Sequence, residues 1–320
     1  MAPTLGVALP HYDASTPGPG TAEPAELAAA ARTAERLGFT TGWVSDHFVL
    51  PRERYGLPVG ETGSLECWTA MTIAAAATST LRVGSLVLCE AFRNPGLLAK
   101  MAVTFDALSR GRLELGLGAG WHEVEYTRAG YDFRAPGVRL ARLDEALQIV
   151  RGMLTEPPYT FRGEHHAAVA AACAPPPVQR PTPPIWVGGS GDRLLDLVAR
   201  RADGWNFGWR VETSWYRSRL AVLAAACERA GRDPASVRKS LGFYCVVGAD
   251  DAEVRASLAR LGVSDVAYYS EGALIGTVAA VRDRLAELGE LGVEHVVLTP
   301  GPMPFSWPGD WWPESVTALL

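Results

Sequence analysis

"LELGLGAGWHEVEY", residues 113–126, is the stretch that decides the architecture. Gly116, Gly118 and Gly120 alternate with apolar residues before the segment turns aromatic and acidic. A dinucleotide fingerprint needs G-x-G-x-x-G at a strand-to-helix turn, then a second strand with an acidic end about 20 residues later. Counted from Gly116, the third glycine falls one place early, and Trp121 stands where glycine is required. No β-type run follows until Pro184. The dinucleotide reading fails on spacing and on context. What remains is a strand whose C-terminal end opens at a barrel mouth. Glycines there either let a flat ring or a phosphate approach the backbone, or relieve crowding at a barrel corner.

Working outward, short β-type runs alternate with helical patterns along the whole chain. Leu5–Leu9 is followed by "PAELAAAARTAERLGF", which puts Leu27, Ala30, Ala34 and Leu37 on one helical face between Pro24 and Gly38. "TGWVSDHF" is a second strand, Ser64 is the expected cap of a helix running to about Thr78, and "RVGSLVL" is the third strand. Asn94 and Pro95 open a helix whose expected buried stripe is Leu98, Met101, Phe105 and Leu108. After "LELGLG", a helix carries Leu140, Leu143, Leu147, Val150 and Leu154 in register. Residues 155–183, rich in Ala and Pro, break the rhythm as an extended insertion, with a hairpin around "EHH" at 164–166. Strands follow at "PIWVGG", "GWNFG", "SLGFYCVVG" and "EHVVLTP", each separated from the next by helical sequence. Eight alternations predict an α/β fold, a (β/α)8 TIM barrel of one domain over 1–320, with insertions after strands 2, 4 and 7. A doubly wound open sheet is the structural rival. Loops 48–63, 155–183 and 263–276 are expected to build the mouth.

The composition narrows the function classes. Net charge is −5 and no basic cluster occurs, which argues against nucleic acid or an anionic membrane as partner. The five cysteines are odd in number, far apart and form no C-x-x-C pair, so neither a disulfide framework nor a zinc ribbon is expected. "MAPTLGVALPHYD" lacks a signal-peptide pattern, and no apolar run reaches 18 residues. The expectation is a cytoplasmic protein. The two adjacent histidines of "EHH" point in different directions and have no spaced third ligand, so no metal is expected.

Four ordered blocks carry a family resemblance: "GFTTGWVSDHF", "FRNPGLLAKMAVTFDALSRGRLELGLGAGWHEVEY", "PPPVQRPTPPIWVGGSGDRLLDLVARRADGWN" and "GTVAAVRDRLAELGELGVEHVVL". In order and spacing the chain resembles the bacterial-luciferase-like flavin and deazaflavin oxidoreductases. That resemblance implies a TIM barrel holding coenzyme F420 or, alternatively, FMN, with the ring at the C-terminal mouth. It implies a bulge under the ring in "RVGSLVL", with a non-proline cis peptide at Ser85–Leu86. It also implies a phosphate loop in "WVGGSGDRLLDL", at Gly188, Gly189, Ser190 and Gly191, and the free N–H groups of the following helix suit an anion there. Arg193 adds charge if it turns inward, and an ordinary turn capped by Asp192 is the alternative. Gly118 and Gly120 are further candidates for the cofactor's surroundings. Trp205 is either at the same mouth or in the core.

Asp46 and His47, at the end of strand two, match the acidic residue and histidine that lie near ring and substrate in the deazaflavin branch. A histidine with a neighbouring carboxylate can relay a proton. His11 and Trp121 are candidate pocket residues. Some deazaflavin-using relatives have Gly-x-Gly-Glu where this chain has Gly118-Ala119-Gly120-Trp121, so the expected acid is missing, with His122, Glu123 and Glu125 as possible substitutes. Three functions stay open: hydride transfer between F420 and a small organic substrate, an FMN monooxygenase using reduced flavin and oxygen, and a flavin-binding protein without turnover. A homodimer and a separate flavin or F420 reductase are the expected partners. The Trp-rich tail at Trp307, Trp311 and Trp312 is either packed or a lid.

Overall fold

The β-type runs become parallel strands at β1 (Thr4–Ala8), β2 (Thr41–Val44), β3 (Arg82–Ser85), β4 (Leu113–Gly118), β5 (Ile185–Gly188), β6 (Gly204–Trp209), β7 (Arg238–Gly248) and β8 (His295–Pro300). The computed structural model describes residues 2–13, 15, 24–55, 59–209, 211–261, 272–300, 307 and 314–320. Each strand pairs with the next in parallel, β4 with β5 and β8 with β1 among them, so the sheet closes on itself. This is the expected (β/α)8 barrel. The rival open sheet is excluded by closure.

Helices α1 (Pro24–Leu37), α2 (Cys67–Ala77), α3 (Pro95–Ser109), α4 (Glu123–Ala129), α5 (Pro136–Thr155), α6 (Asp192–Arg201), α7 (Thr213–Arg229), α8 (Asp251–Arg260) and α9 (Val278–Glu290) lie between the strands. Their apolar faces and the outward residues of the strands form the main core. Inside the ring, Trp43 and Trp186 meet edge to face at 6.2 Å. Their indole N–H groups donate to His295 Nε2 at 3.0 Å and to Glu114 Oε2 at 2.6 Å. Aromatic bulk with a satisfied polar tip thus fills the barrel's lower half.

Several local expectations are corrected. Glu66, not Ser64, caps α2, its carboxylate accepting from the Trp68 and Thr69 amides. Ser64 instead donates to the His47 carbonyl. Asn94 does cap α3, but Leu108 is 81% exposed, and the buried face runs through Leu98, Ala102, Phe105 and Asp106. Residues Leu274–Thr277, expected as loop, form a strand on the second half of β7. Segment 155–183 does contain a hairpin, Tyr159–Arg162 against Ala167–Ala171, but it does not line the mouth cavity. It follows a helix rather than a strand, which sends it toward the opposite end. There Gln179 donates to the Leu113 carbonyl at the start of β4 and accepts from Arg82 at the start of β3.

The third strand is interrupted as expected. Gly84 pairs with Glu114 and Leu88 with Leu117, four steps against three, so one extra residue bulges between them. The non-proline cis peptide is Leu86–Val87, one bond beyond the expected Ser85–Leu86. Ser85 is still held in the ladder, its hydroxyl donating to the Gly116 carbonyl and accepting from the Gly116 amide, both at 2.9 Å. The chain departs only after it.

Candidate active site

The C-terminal ends of the strands surround a cavity of about 490 Å³. Of the expected residues, Asp46, His47 and Trp121 line it, as do Leu86, Gly118, Gly120, Gly188 and Gly189. Ser85, Ser190, Gly191 and His11 do not. Ser85 lies behind the bulge. His11 is fully buried and touches Ser45 and Tyr12, which line the cavity.

His47 is not paired with its sequence neighbour. Its Nδ1–H donates to Glu125 Oε2 at 2.8 Å, and the other Glu125 oxygen accepts from the Phe48 and Val49 amides. Glu125 comes from the first turn of α4 and is buried. A carboxylate satisfied in this way fixes the imidazole ring and its tautomer. Nδ1 carries a hydrogen toward Glu125, and His47, which lines the cavity, makes no further side-chain hydrogen bond among the described residues. The Trp121 ring centroid stands 5.5 Å from that of the imidazole, and the Arg54 guanidinium lies over the same indole, 4.1 Å from its centroid.

Asp46 has a different duty. Arg93 grips its two oxygens at 2.7 and 3.0 Å, and Oδ2 also accepts from the Cys89 amide at 2.9 Å. Arg93 reaches on to Glu66, the cap of α2. Asp46 therefore ties the end of β2 to the bulge, and with its oxygens occupied it does not serve as the proton partner of His47. Of the suggested substitutes for the missing acid, Glu125 makes the dyad, Glu123 is exposed, and His122 lies outside the cavity lining.

The glycine run now has its answer. A Cβ at Gly116 would stand 2.1 Å from the Ser85 carbonyl oxygen, and one at Gly118 would stand 2.7 Å from Val87 Cγ2. These two positions make room for the bulge. Gly120 has φ +71° and its Cβ would fall 1.9 Å from the Tyr126 hydroxyl. That hydroxyl donates to the Ala119 carbonyl, while the Cys89 thiol, which burial pushes up to about 12, lies 3.0 Å away. The corner is crowded by the protein itself, and the glycines shape the cavity wall through it.

At the end of β5, Gly191 is the residue that precedes α6, and it offers no side-chain cap; Asp192 is already helical, its carboxylate turned to Arg219. The amides of Ser190, Gly191, Asp192 and Arg193 have no hydrogen-bond partner among the described residues. The loop is held from below, where the Trp205 indole donates to the Gly189 carbonyl at 2.6 Å and the Gly189 amide donates to Asn206. Trp205 is thus both core and strut, stacked on Tyr216 at 5.5 Å. Uncapped amides at a helix N-terminus suit an anion. The cavity, its bulged wall and this loop together fit a flat ring with a phosphorylated tail.

The luciferase-like monooxygenase family profile matches residues 4–271, most of the chain. The chain belongs to the luciferase-like monooxygenase family. Within this family it is similar to an F420-dependent hydroxymycolic acid dehydrogenase of Mycobacterium tuberculosis, 30% identical over 79% of this chain and 65% of that protein. It is also similar to an FMNH2-dependent dimethylsulfone monooxygenase of Pseudomonas putida, 26% identical over 83% of this chain and 80% of that one. In fold it matches an F420-dependent secondary alcohol dehydrogenase in complex with an F420-acetone adduct, with TM-score 0.75 and 21% identity over 95% and 94% of the two chains. Luciferase-like proteins are oxidoreductases and monooxygenases, and a deazaflavin or flavin cofactor suits both relatives' names. Among the described residues, no helix is long and apolar enough to cross a membrane.

Proposed function

We propose that this luciferase-like protein is an F420-dependent oxidoreductase that moves a hydride between the deazaflavin and a small organic substrate. When bound, the deazaflavin supplies or takes up the hydride at its ring carbon. The observation that carries the reading is the His47–Glu125 dyad on the cavity wall. Hydride transfer to or from a carbon bearing oxygen or nitrogen needs a proton to arrive or leave at that heteroatom. His47 Nε2 is the group proposed to exchange it, and Glu125 stabilises the imidazolium that results when it accepts. The uncapped start of α6 would hold the tail phosphate, with Ser190 and Gly191 contributing amides. Leu86 and Val87 would back the ring, and Asp46 with Arg93 would keep that wall in place. Trp121, with Leu50, Arg54 and Tyr55, would exclude water over the substrate.

The test is oxidation of reduced F420, followed at its absorbance band, with ketones, enones and imines as acceptors under nitrogen and then under air. Turnover that depends on the acceptor and not on oxygen supports the proposal. Turnover only with reduced FMN and oxygen would overturn it in favour of a monooxygenase.

A further inference from the structure

The Trp43–Trp186 pair bounds a second cavity, of about 390 Å³, at the N-terminal end of the strands. It shares no lining residue with the mouth cavity. Glycines on neighbouring strands let the two rings press against the barrel wall. A Cβ at Gly84 would stand 2.5 Å from Trp43 Cζ3, and one at Gly204 would stand 2.2 Å from Trp186 Cε3.

Most polar groups on this lining are matched within the protein. Arg82 donates through Nε to Glu114, and through its Nη atoms to the Gly111 and Leu113 carbonyls and to Gln179. The other Glu114 oxygen accepts from the Trp186 indole. His295 accepts from the Trp43 indole on Nε2, and its Nδ1 lies 2.9 Å from Thr4 Oγ1. Burial, reinforced by Arg238 and Arg82, lowers His295 to about 3, so it adds no charge at neutral pH. Two groups differ. Thr41 is 4% exposed, and its hydroxyl makes no hydrogen bond among the described residues. Arg238 lies over the Trp186 ring, 4.7 Å from its centroid, and its guanidinium makes no hydrogen bond among the described residues. Glu294 Oε2 approaches Arg238 Nε only to 3.7 Å and is not on the lining. With Arg82 matched by Glu114, Arg238 is the cation left over on the cavity wall among the described residues.

We propose that this cavity is a binding site for a small organic acid, with a carboxylate on the Arg238 guanidinium and a second polar group of the same molecule on the Thr41 hydroxyl. A guanidinium laid on an aromatic face keeps its N–H edge for a planar carboxylate, which it takes through two parallel hydrogen bonds. The stack also holds the side chain in place beforehand, so less rotamer freedom is lost on binding. The Thr41 hydroxyl, withdrawn from water, gains from the ligand a bond that the protein does not supply. Thr41 is on β2 and Arg238 on β7, with β1 and β8 between them, so an acid with polar groups at both ends suits the pair better than acetate. A volume of about 390 Å³ lies in the range of small-molecule sites. The site is independent of the mouth and of the cofactor reading.

The test is isothermal titration calorimetry of the purified protein with malate, succinate and 2-oxoglutarate at constant ionic strength, with acetate for comparison. Saturable binding of at least one diacid at a single site is expected, with acetate weaker. Arg238→Met keeps an unbranched stem on Trp186 but removes the charged fork, and is expected to lower the affinity by about 10-fold or more. Thr41→Val keeps the shape and removes only the hydroxyl, and is expected to lower it by about 3-fold or more. Gly191→Asp, which puts a negative charge at the start of α6, is expected to leave the affinity unchanged. Melting curves of the three variants establish that each is folded. Absence of saturable binding by all three diacids would overturn the proposal. So would an affinity unchanged in either Arg238→Met or Thr41→Val. Loss of binding in Gly191→Asp would move the acid to the α6 end and overturn it equally.

Discussion

Glu125 is the residue on which the proposed chemistry turns; the sequence offers it as one of three substitutes for the missing acid but does not show it as the partner of His47. The nearest carboxylate in sequence to His47 is Asp46, but adjacent residues of an extended segment point to opposite sides. Asp46 turns to Arg93, while α4 swings Glu125 in from 78 positions away. A short helix inside a segment that looked like loop gave no periodicity to signal this. Glu125→Gln leaves the Phe48 and Val49 amides their oxygen but presents an amide N–H₂ to Nδ1. The imidazole must then carry its proton on Nε2, and the base is lost. The expected result is a drop in kcat of about 100-fold with cofactor affinity unchanged, partly rescued in Glu125→Asp, read by stopped-flow reduction of F420. Gly120 supplies the second test at this scale. Gly120→Ala forces a side chain into the left-handed region against the Tyr126 hydroxyl, and is expected to cost about 1–3 kcal/mol in urea unfolding. If Gly120→Ala costs the same in a Tyr126→Phe background, the hydroxyl contact is not the cause.

Among elements, the start of α6 and the bulge after β3 carry the proposed cofactor contacts. The bulge was legible as a family feature, but its position was not. Ser85 keeps its ladder contacts with Gly116, so the departure falls one bond later than expected. The sequence leaves the glycines of β4 open between room for a ligand and relief of crowding, and Gly116 and Gly118 serve the second, standing against Ser85 and Val87; only coordinates of both strands distinguish the two. Helix α6 offers a clean separation of stability from binding. Gly191 has φ −68°, and a Cβ there would meet nothing within 4 Å. Gly191→Asp puts a carboxylate at the N-cap, which is expected to leave stability unchanged or raise it by a few tenths of a kcal/mol. The same charge repels a tail phosphate, so cofactor affinity is expected to fall by 10-fold or more, about 1.4 kcal/mol. Calorimetry of the variant for melting and for binding reads both. A variant that is more stable and binds equally well would place the phosphate elsewhere.

For the whole molecule, the closed barrel was readable because eight strand-and-helix alternations leave few alternatives, and because the helices mark themselves with caps such as Asn94. Segments that follow helices rather than strands belong at the end opposite the mouth, and the helix read just before residue 155 already carried that information. Residues 155–183 were assigned to the mouth and lie away from its cavity. The barrel's interior also sets a pH response. Burial holds His11 and His295 near 3, against about 6.5 when unfolded. The unfolded chain therefore takes up these protons below about 6.5 while the native protein refuses them until near 3. Stability is full above that window and falls with acidification, by about 1.4 kcal/mol per pH unit for each histidine. In His295→Gln, urea unfolding across pH 4 to 6 is expected to show a slope shallower by one proton, and an unchanged slope would contradict its neutral burial. The central claim concerns the cofactor, and a paired fluorescence titration of the purified apo-protein with F420 and FMN tests it most directly. Saturable binding of F420, with FMN markedly weaker, is the predicted result; preference for FMN, or binding of neither, would contradict it.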